Sequence, residues 1–237
     1  MKKTTIPYRH ELKYRISRGS YEILRGRLKA VMRPDEHARD GRYRVTSLYF
    51  DDVYRSAYRD KLSGVLNRKK FRVRTYGLDP STIRLEEKRK DGDVGYKKTA
   101  LLTPEEYRLL LKGETAFLTA ERFAGTAGED FLWSSAAVRL LPSVVVDYVR
   151  EPYTCTAGNV RITFDLALSA GGSLDLFDPA ARYIPAFPDG EVILEVKYDR
   201  FLPSYIEEVL SGVPLLSESI SKFILCSDCA RLARYGC

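Results

Sequence analysis

The sequence predicts an α+β protein in which helices pack against the apolar face of an antiparallel β-sheet. Three observations lead to this fold class. Most strand candidates alternate with period two between charged and apolar residues. Helix signals lie between the strand candidates. Hydrophobic residues make up 44% of the 237 residues, which is enough for a sizeable core. We therefore expect a single domain over residues 1–237.

Period-two alternation places charged and apolar side chains on opposite faces of a strand. In the segment Phe71–Tyr76, for example, Arg72 and Arg74 alternate with Phe71 and Val73. Alternation of this kind, less regular in some segments, predicts eight strands: Tyr8–Ile16, Arg42–Phe50, Phe71–Tyr76, Ile83–Lys90, Lys97–Leu102, Ser143–Arg150, Val160–Leu168 and Val192–Asp199.

Helices are predicted between these strands. The clearest start is at Thr103, where Thr is the N-cap, Pro104 takes the first helical position and Glu106 closes a capping box. The other predicted helices are Ser20–Met32, Phe131–Leu140, Pro203–Leu210 and Ser219–Tyr235. The segment Thr119–Glu129 is predicted to be a loop, and Ser169–Gly190 a long connection.

The polar faces of the predicted strands hold mostly Arg, Lys and Glu, whereas a solvated face normally includes more Ser, Thr and Gln. Two arrangements fit this pattern. One is an open sheet whose charged side faces water. The other is a closed barrel with helices outside, in which the charged residues line the lumen and bind a multiply charged ligand. The alternation alone does not decide between them.

The charge balance indicates an anionic partner. The chain has 39 Lys and Arg residues against 32 Asp and Glu residues, a formal net charge of +7. Charge alone leaves nucleic acid, a membrane surface and phosphorylated small molecules open. No recognisable nucleic-acid motif is present, and no stretch approaches the roughly 20 apolar residues of a membrane span.

The cysteines and the N-terminus indicate a reduced, cytoplasmic protein. The four cysteines are not spaced like a disulfide framework, and the first residues have no apolar secretory segment. Cys226 and Cys229 form a single CxxC in a predicted helix, which without a second pair indicates helix packing rather than zinc binding.

Eight short motifs, each weak alone, occur in one order along nearly the whole chain. With them the chain resembles the polyphosphate polymerase domain of the vacuolar transporter chaperone (VTC) group, which belongs to the triphosphate tunnel metalloenzymes. The motifs are Arg9-His10-Glu11-Leu12-Lys13-Tyr14, Ser47-Leu48-Tyr49-Phe50-Asp51, Arg72-Val73-Arg74-Thr75-Tyr76-Gly77, Leu85-Glu86-Glu87-Lys88, Tyr148-Val149-Arg150, Arg161-Ile162-Thr163-Phe164-Asp165, Leu194-Glu195-Val196-Lys197 and Ser219-Ile220-Ser221-Lys222-Phe223.

The resemblance implies a closed tunnel of eight antiparallel strands, in which the γ-phosphate of ATP is transferred onto a polyphosphate chain. The catalytic cations are expected to be Arg72, Arg74, Lys88, Arg150 and Lys222. Phosphate is expected to bind Lys13, Lys97, Lys98, Tyr148, Arg161, Lys197 and Ser221, with the choice between Lys97 and Lys98 left open by the register. Mn²⁺ or Mg²⁺ is expected at Glu195, with Glu86 and Glu11 as helpers.

The chemistry of the residues fits these roles and also simpler ones. Arg72 and Arg74 lie roughly 6.5–7 Å apart on one strand face, so both guanidiniums can fork onto phosphates, but surface arginines have the same spacing. Glu195 is either a hard oxygen ligand for a divalent metal or an ion-pair partner of Lys197. Ser221 either helps to bind phosphate at a helix N-terminus or caps the helix.

One departure from the related enzymes keeps the function open. The adenylyl cyclase and thiamine triphosphatase branch begins with Glu-x-Glu-x-Lys, whereas this chain has Arg9-x-Glu11-x-Lys13. The alternatives to a polymerase are a tunnel hydrolase of triphosphates and a non-catalytic module that binds polyphosphate. The expected partners are ATP or another triphosphate and polyphosphate, but not nucleic acid, and any membrane association is expected to be through a partner protein.

Overall fold

The computed structural model describes residues 10–77, 79–92, 94–187 and 190–235. The α+β prediction is confirmed, since helices surround an antiparallel sheet. The described strands are β1 (His10–Ile16), β2 (Arg33–Pro34), β3 (Tyr43–Asp51), β4 (Arg68–Tyr76), β5 (Ile83–Asp91), β6 (Val94–Leu102), β7 (Leu141–Cys155), β8 (Val160–Gly171), β9 (Tyr183–Pro185) and β10 (Val192–Tyr198). The described α-helices are α1 (Arg18–Val31), α2 (Ser56–Leu62), α3 (Pro104–Leu111), α4 (Ala120–Phe123), α5 (Ala127–Val138), α6 (Ser204–Ser211) and α7 (Lys222–Tyr235).

Among the described residues, the sheet has ten strands and is not closed, so the predicted closed eight-stranded tunnel is not confirmed. Hydrogen bonds order the strands β1-β10-β8-β7-β3-β4-β5-β6, while β2 pairs with β7 and β9 with β8. Within the described ranges, this order ends at β1 on one side and β6 on the other. The two additional strands have only two and three residues, which is too short for an alternating pattern to reveal them.

Most predicted elements are present, with shifted ends. The capping box is confirmed, because Thr103 accepts a hydrogen bond from the Glu106 amide and Glu106 from the Thr103 amide. The loop prediction for Thr119–Glu129 is wrong, since α4 and the start of α5 lie there. Thr126 accepts a hydrogen bond from the Gly128 amide, so this Thr- and Gly-rich stretch contains a helix start. Helix α2 was not predicted, and the predicted strand residues Tyr8 and Arg9 lie outside the described residues.

The chain divides into two compact units. Unit 1 comprises the described residues of Met1–Arg44, Tyr148–Leu168 and Phe187–Ile220, and unit 2 those of Val45–Asp147, Ser169–Ala186 and Ser221–Cys237. Whether the whole chain is one domain, as the sequence predicts, stays a prediction. Across the described part of the chain, no helix is long and apolar enough to cross a membrane.

The core of unit 1 lies between the apolar faces of β1, β8 and β10 and the helices α1 and α6. Ile162, Phe164 and Leu194 are completely buried against Leu24 of α1 and Ile206 of α6. Because alternate residues of each strand point to opposite faces, this packing sends the charged residues of the same strands to the other face.

The core of unit 2 is built in the same way from β3, β4, β5 and β6 and the helices α3, α4 and α5. Leu48, Phe71, Val73 and Leu85 share one apolar cluster with Phe131 of α5. The residues between them, including Arg72 of β4, therefore lie on the face opposite this core.

A buried carboxylate links strand β7 to the N-terminal part of unit 1. Glu151 is 3% exposed. It accepts hydrogen bonds from the Tyr21 and Tyr153 hydroxyls and from the guanidiniums of Arg25 and Arg42. Burial would raise the pKa of Glu151, but these four hydrogen bonds outweigh it and lower the pKa to about 2.

We predict that Glu151→Gln lowers the free energy of unfolding by about 2 kcal/mol at neutral pH, because hydrogen bonds to a buried charge are lost. The pKa of Glu151 is lower in the folded state than its ordinary value of 4.5. Its stabilisation is therefore complete above pH 4.5 and is lost as the pH falls toward 2. Urea unfolding at several pH values measures this. Glu22→Gln, at an exposed position of α1, is the matched control. An equal effect of both variants would contradict the prediction.

Candidate functional site

The charged face of unit 2 sets like charges directly opposite one another. In the β4–β5 register, Arg74 faces Arg84 and Lys70 faces Lys88, and in the β5–β6 register Lys88 faces Lys97. Like charges directly opposite each other on neighbouring strands destabilise a sheet. This arrangement therefore costs folding free energy, and the cost falls when an anion binds to the face.

One buried acid, Glu86, binds two of the cations of this face, Arg72 and Lys97. Glu86 of β5 is 1% exposed and lies opposite Arg72. Its Oε2 accepts from Arg72 Nε at 2.8 Å, and its Oε1 accepts from Lys97 Nζ at 3.2 Å. Burial would raise the pKa of Glu86, but Arg72, Arg74 and Lys97 outweigh it and lower the pKa to about 2. Both carboxylate oxygens are thus bonded to cations of the chain itself.

The register settles which of the two neighbouring lysines shares the charged face. Lys97 contacts Glu86 and lies on the face of Arg72. Lys98 pairs instead with Asp130 of α5 at 2.6 Å, so its side chain lies on the helix-covered side of β6. The structure therefore separates these two candidates, which are adjacent in the sequence.

A buried tyrosine that sequence reasoning did not select lies within the same group. Tyr49 of β3 accepts a hydrogen bond from Arg72 Nη1 at 2.9 Å and stacks on Phe223 with ring centroids 5.0 Å apart. Burial raises the pKa of its phenol, but Arg72, Lys70 and Arg74 outweigh burial and lower it to about 7. Its period-two spacing from Ser47, which accepts from Arg74 Nε at 3.0 Å, was the available sequence signal.

Two buried hydrogen-bond donors of unit 2 have no acceptor among the described residues. They are the Ser221 hydroxyl and Arg84 Nε. Ser221 precedes α7, and its backbone carbonyl accepts from the Leu225 amide, but its hydroxyl does not cap the helix. Lys222 is the first residue of α7. Because buried polar groups are normally satisfied, both atoms are candidates for a ligand contact.

The charged face of unit 1 contains two acids and two lysines in alternation. In the β1–β10 register, Glu11 lies opposite Lys197 and Lys13 opposite Glu195. Lys13 Nζ is 2.8 Å from Glu11 and 3.9 Å from Glu195, and Lys197 Nζ is 2.6 Å from Glu195 and 3.9 Å from Glu11. The predicted metal carboxylate Glu195 and one of its two predicted helpers, Glu11, therefore lie in one group. Glu195 also forms the ion pair with Lys197 that was the simpler interpretation.

A further acid of unit 1, Asp165, fixes the predicted catalytic arginine of β7. Arg150 donates from Nε and Nη2 to the two oxygens of Asp165 at 2.6 and 2.7 Å. Its guanidinium lies 5.3 Å from the ring centroid of Tyr148. Burial would lower the pKa of Arg150, but Asp165 and Tyr148 raise it well above the ordinary value. Asp165 belongs to one of the eight sequence motifs, but sequence reasoning assigned it no role.

Strand β8 adds two further polar residues to this face. Arg161 contacts Asp35 at 3.0 Å and the Tyr43 hydroxyl at 3.1 Å. Arg161 Nε and the Thr163 hydroxyl are buried and have no hydrogen-bond partner among the described residues. Arg161 was a predicted phosphate ligand, whereas Thr163 was not assigned a role.

Comparison with known proteins identifies the family. The family model of the VTC domain matches residues 8–230. The chain belongs to the VTC domain family. This match covers nearly all of the sequence and confirms the resemblance that the motifs indicated. No curated protein was found to match this VTC domain.

Solved structures show where this VTC domain belongs by fold. A candidate adenylyl cyclase from Hippeastrum, described as revealing a dominant triphosphatase activity, is 12% identical with a TM-score of 0.54. The similarity covers 92% of this chain and 96% of that chain. A candidate adenylate cyclase from Bacillus halodurans is 10% identical with a TM-score of 0.54, and 98% of each chain is covered. The VTC domain therefore shares the fold of triphosphate tunnel proteins.

Two carboxylates of unit 1, Glu11 and Glu195, are the residues that could hold a divalent metal together with phosphate oxygens of a ligand. Among the described residues, no group of three or more His, Cys, Asp or Glu side chains could hold a metal ion by itself. Glu11 and Glu195 do share one face and contact the same two lysines. Mg²⁺ typically binds through one or two carboxylates together with phosphates of the substrate, so this pair fits such a metal.

The unusual environment of Tyr49 leads to a spectroscopic prediction. One of the 16 tyrosines should ionise at a pH of about 7, and this step should disappear in Tyr49→Phe. Inorganic tripolyphosphate bound among Lys70, Arg72 and Arg74 should raise the Tyr49 pKa, because a nearby anion disfavours the phenolate. Phenolate absorbance as a function of pH measures both effects. If all tyrosines ionise near their ordinary pKa of about 10, the described electrostatics of Tyr49 are wrong.

Proposed function

We propose that this VTC domain is a metal-dependent phosphotransferase that transfers the γ-phosphate of ATP onto a polyphosphate chain. The observation that supports it best is the pairing of like charges across β4, β5 and β6, where Arg74 lies opposite Arg84 and Lys88 opposite Lys97. A folded protein keeps such pairs at a cost in stability. Binding of a polyanion would offset that cost, and a chain of phosphates has the row of negative charges that this row of cations requires.

The arginines of unit 2 are held in a geometry suited to phosphoryl transfer. Glu86 and Tyr49 fix Arg72, and Ser47 fixes Arg74. Phosphoryl transfer depends mainly on alignment and on charges that are already oriented before the reaction. In this proposal the two guanidiniums align the transferred phosphoryl group, while Lys88, Lys97 and Lys222 neutralise neighbouring phosphates.

Unit 1 supplies the metal carboxylates and further phosphate ligands in this proposal. Glu195 and Glu11 would hold Mn²⁺ or Mg²⁺, which when bound neutralises charge on the phosphate oxygens. Lys13 and Lys197 would bind phosphate oxygens next to these carboxylates. Tyr148 of β7 and Arg161 of β8 would bind further phosphate oxygens. Because both oxygens of Asp165 accept hydrogen bonds from Arg150, this arginine would act on the bound phosphates as a positive charge in a fixed position.

Hydrolysis of triphosphates is the second candidate function. The Hippeastrum protein of similar fold is described as having a dominant triphosphatase activity. The two reactions use the same electrostatic groups and differ in whether a phosphate or a water accepts the phosphoryl group. Incubation of the pure protein with ATP and Mn²⁺ or Mg²⁺, followed by gel separation, tests both. Polyphosphate chains support the transferase, free phosphate alone supports the hydrolase, and no turnover would contradict both.

We predict that Glu195→Gln leaves the protein folded and lowers metal-dependent turnover by on the order of a hundredfold, because the amide lacks the anionic oxygen that a hard cation prefers. Turnover at several metal concentrations measures the loss. Glu191→Gln, which breaks only a surface ion pair with Arg15, should keep normal turnover. Near-normal activity of Glu195→Gln would remove this residue from the metal site.

For the arginine pair, we predict that Arg72→Lys and Arg74→Lys lower kcat by on the order of a hundredfold with a smaller effect on ATP binding. Lysine keeps the charge but loses the planar fork, and the lost contacts matter most in the transition state. Steady-state kinetics separates kcat from KM. Arg122→Lys, which alters the surface pair with Glu106, is the control. A double variant with the wild-type rate would exclude both arginines from the reaction.

A further inference from the structure

Strand β8 contains a buried hydroxyl that the fold itself does not use. Thr163 is 2% exposed, and its Oγ1 has no hydrogen-bond partner among the described residues. A buried polar group without a partner destabilises the folded state, because it loses its hydrogen bonds to water and gains none in the protein. Valine has the same shape and an equally strong strand preference, so it would fill the position without that cost. The retained hydroxyl therefore points to a partner that the folded chain does not supply.

The neighbours of Thr163 in the strand and across the sheet show that its side chain lies on the charged face of unit 1. Its neighbours Ile162 and Phe164 belong to the apolar core of unit 1, so the Thr163 side chain lies on the opposite, charged face. On that face it lies directly opposite Glu195 of β10, and Arg161 lies opposite Lys197.

A second unused donor lies on the same strand face. Arg161 Nε is also buried without a hydrogen-bond partner in the described part of the chain. It precedes Thr163 by two residues, which places the two positions roughly 6.5–7 Å apart along the strand. A guanidinium N–H and a hydroxyl can both donate, and a phosphate chain offers several acceptor oxygens in a row.

We propose that the Thr163 hydroxyl donates a hydrogen bond to a phosphate oxygen of the bound triphosphate, beside Arg161 on the charged face of unit 1. This inference rests on the proposed function, because it assumes that a triphosphate binds to this face. Thr163 is uncharged and contributes little to long-range attraction. Its contribution is to fix the position of a phosphate that the neighbouring cations attract.

The test compares Thr163→Val with Thr163→Ser. Valine removes the hydroxyl at constant shape, whereas serine retains it. Isothermal titration with inorganic tripolyphosphate should show about ten- to a hundredfold weaker binding for Thr163→Val, the usual effect of losing a hydrogen bond to a charged group. Thr163→Ser should bind nearly as the wild type does. The loss should persist at raised ionic strength, because a short-range contact is screened less than the attraction of exposed charges.

Thermal unfolding separates this role from a structural one. Removal of an unpartnered buried hydroxyl should leave the Tm of Thr163→Val unchanged or higher. Thr46→Val is the matched control, since Thr46 is also fully buried but its hydroxyl donates to Asp147 at 2.7 Å. Thr46→Val should lower the Tm while the protein that remains folded binds tripolyphosphate normally.

The outcomes distinguish a failure of this inference from a failure of the proposed function. If the wild type binds tripolyphosphate and Thr163→Val binds it with the same affinity, this inference is overturned and the proposed function still stands. A fall in Tm for Thr163→Val as large as that for Thr46→Val would assign Thr163 a structural role and also overturn the inference. No binding of tripolyphosphate by the wild type would contradict the proposed function itself.

Discussion

The separation of charged and apolar side chains onto opposite faces of the strands is the constraint on which the rest of this structure depends. In β8 and β10, Ile162, Phe164 and Leu194 are buried beneath helices α1 and α6. Once these residues are buried, Thr163 and Glu195 have to lie on the other face. The helices therefore do more than cover the core, since they fix which side chains can meet a ligand.

A few acids then determine how the cations of each charged face are oriented. Glu86 binds Arg72 in unit 2, and Asp165 binds Arg150 in unit 1. In both pairs the acid is almost completely buried. Breaking a buried pair leaves a charge without compensation and costs several kcal/mol, so these arginines have little freedom. Cations held in this way need little reorganisation when a phosphate binds, which is the condition for electrostatic stabilisation of phosphoryl transfer.

Residue pattern was enough to predict the alternating strands, the Thr103 capping box and the family, because each of these depends on neighbours in the sequence. Residue pattern did not predict the features that depend on pairing between strands that are distant in the sequence. Only the β5–β6 register separates Lys97 from Lys98. The roles of Tyr49 and Asp165 depend on contacts with Arg72 and Arg150 that spacing along the chain does not reveal. The closed sheet was expected from the family resemblance, whereas the described strand pairings leave the sheet open.

The central claim is that the charged faces bind a chain of phosphates, and thermal unfolding with added anions tests it most directly. The Tm of the wild-type protein should rise steadily with tripolyphosphate concentration, because a ligand that binds only the folded state stabilises it by mass action. Sodium chloride and citrate at matched ionic strength should produce a much smaller rise, since neither offers a row of phosphate oxygens. Equal Tm values in all three solutions, with and without Mn²⁺, would contradict the account.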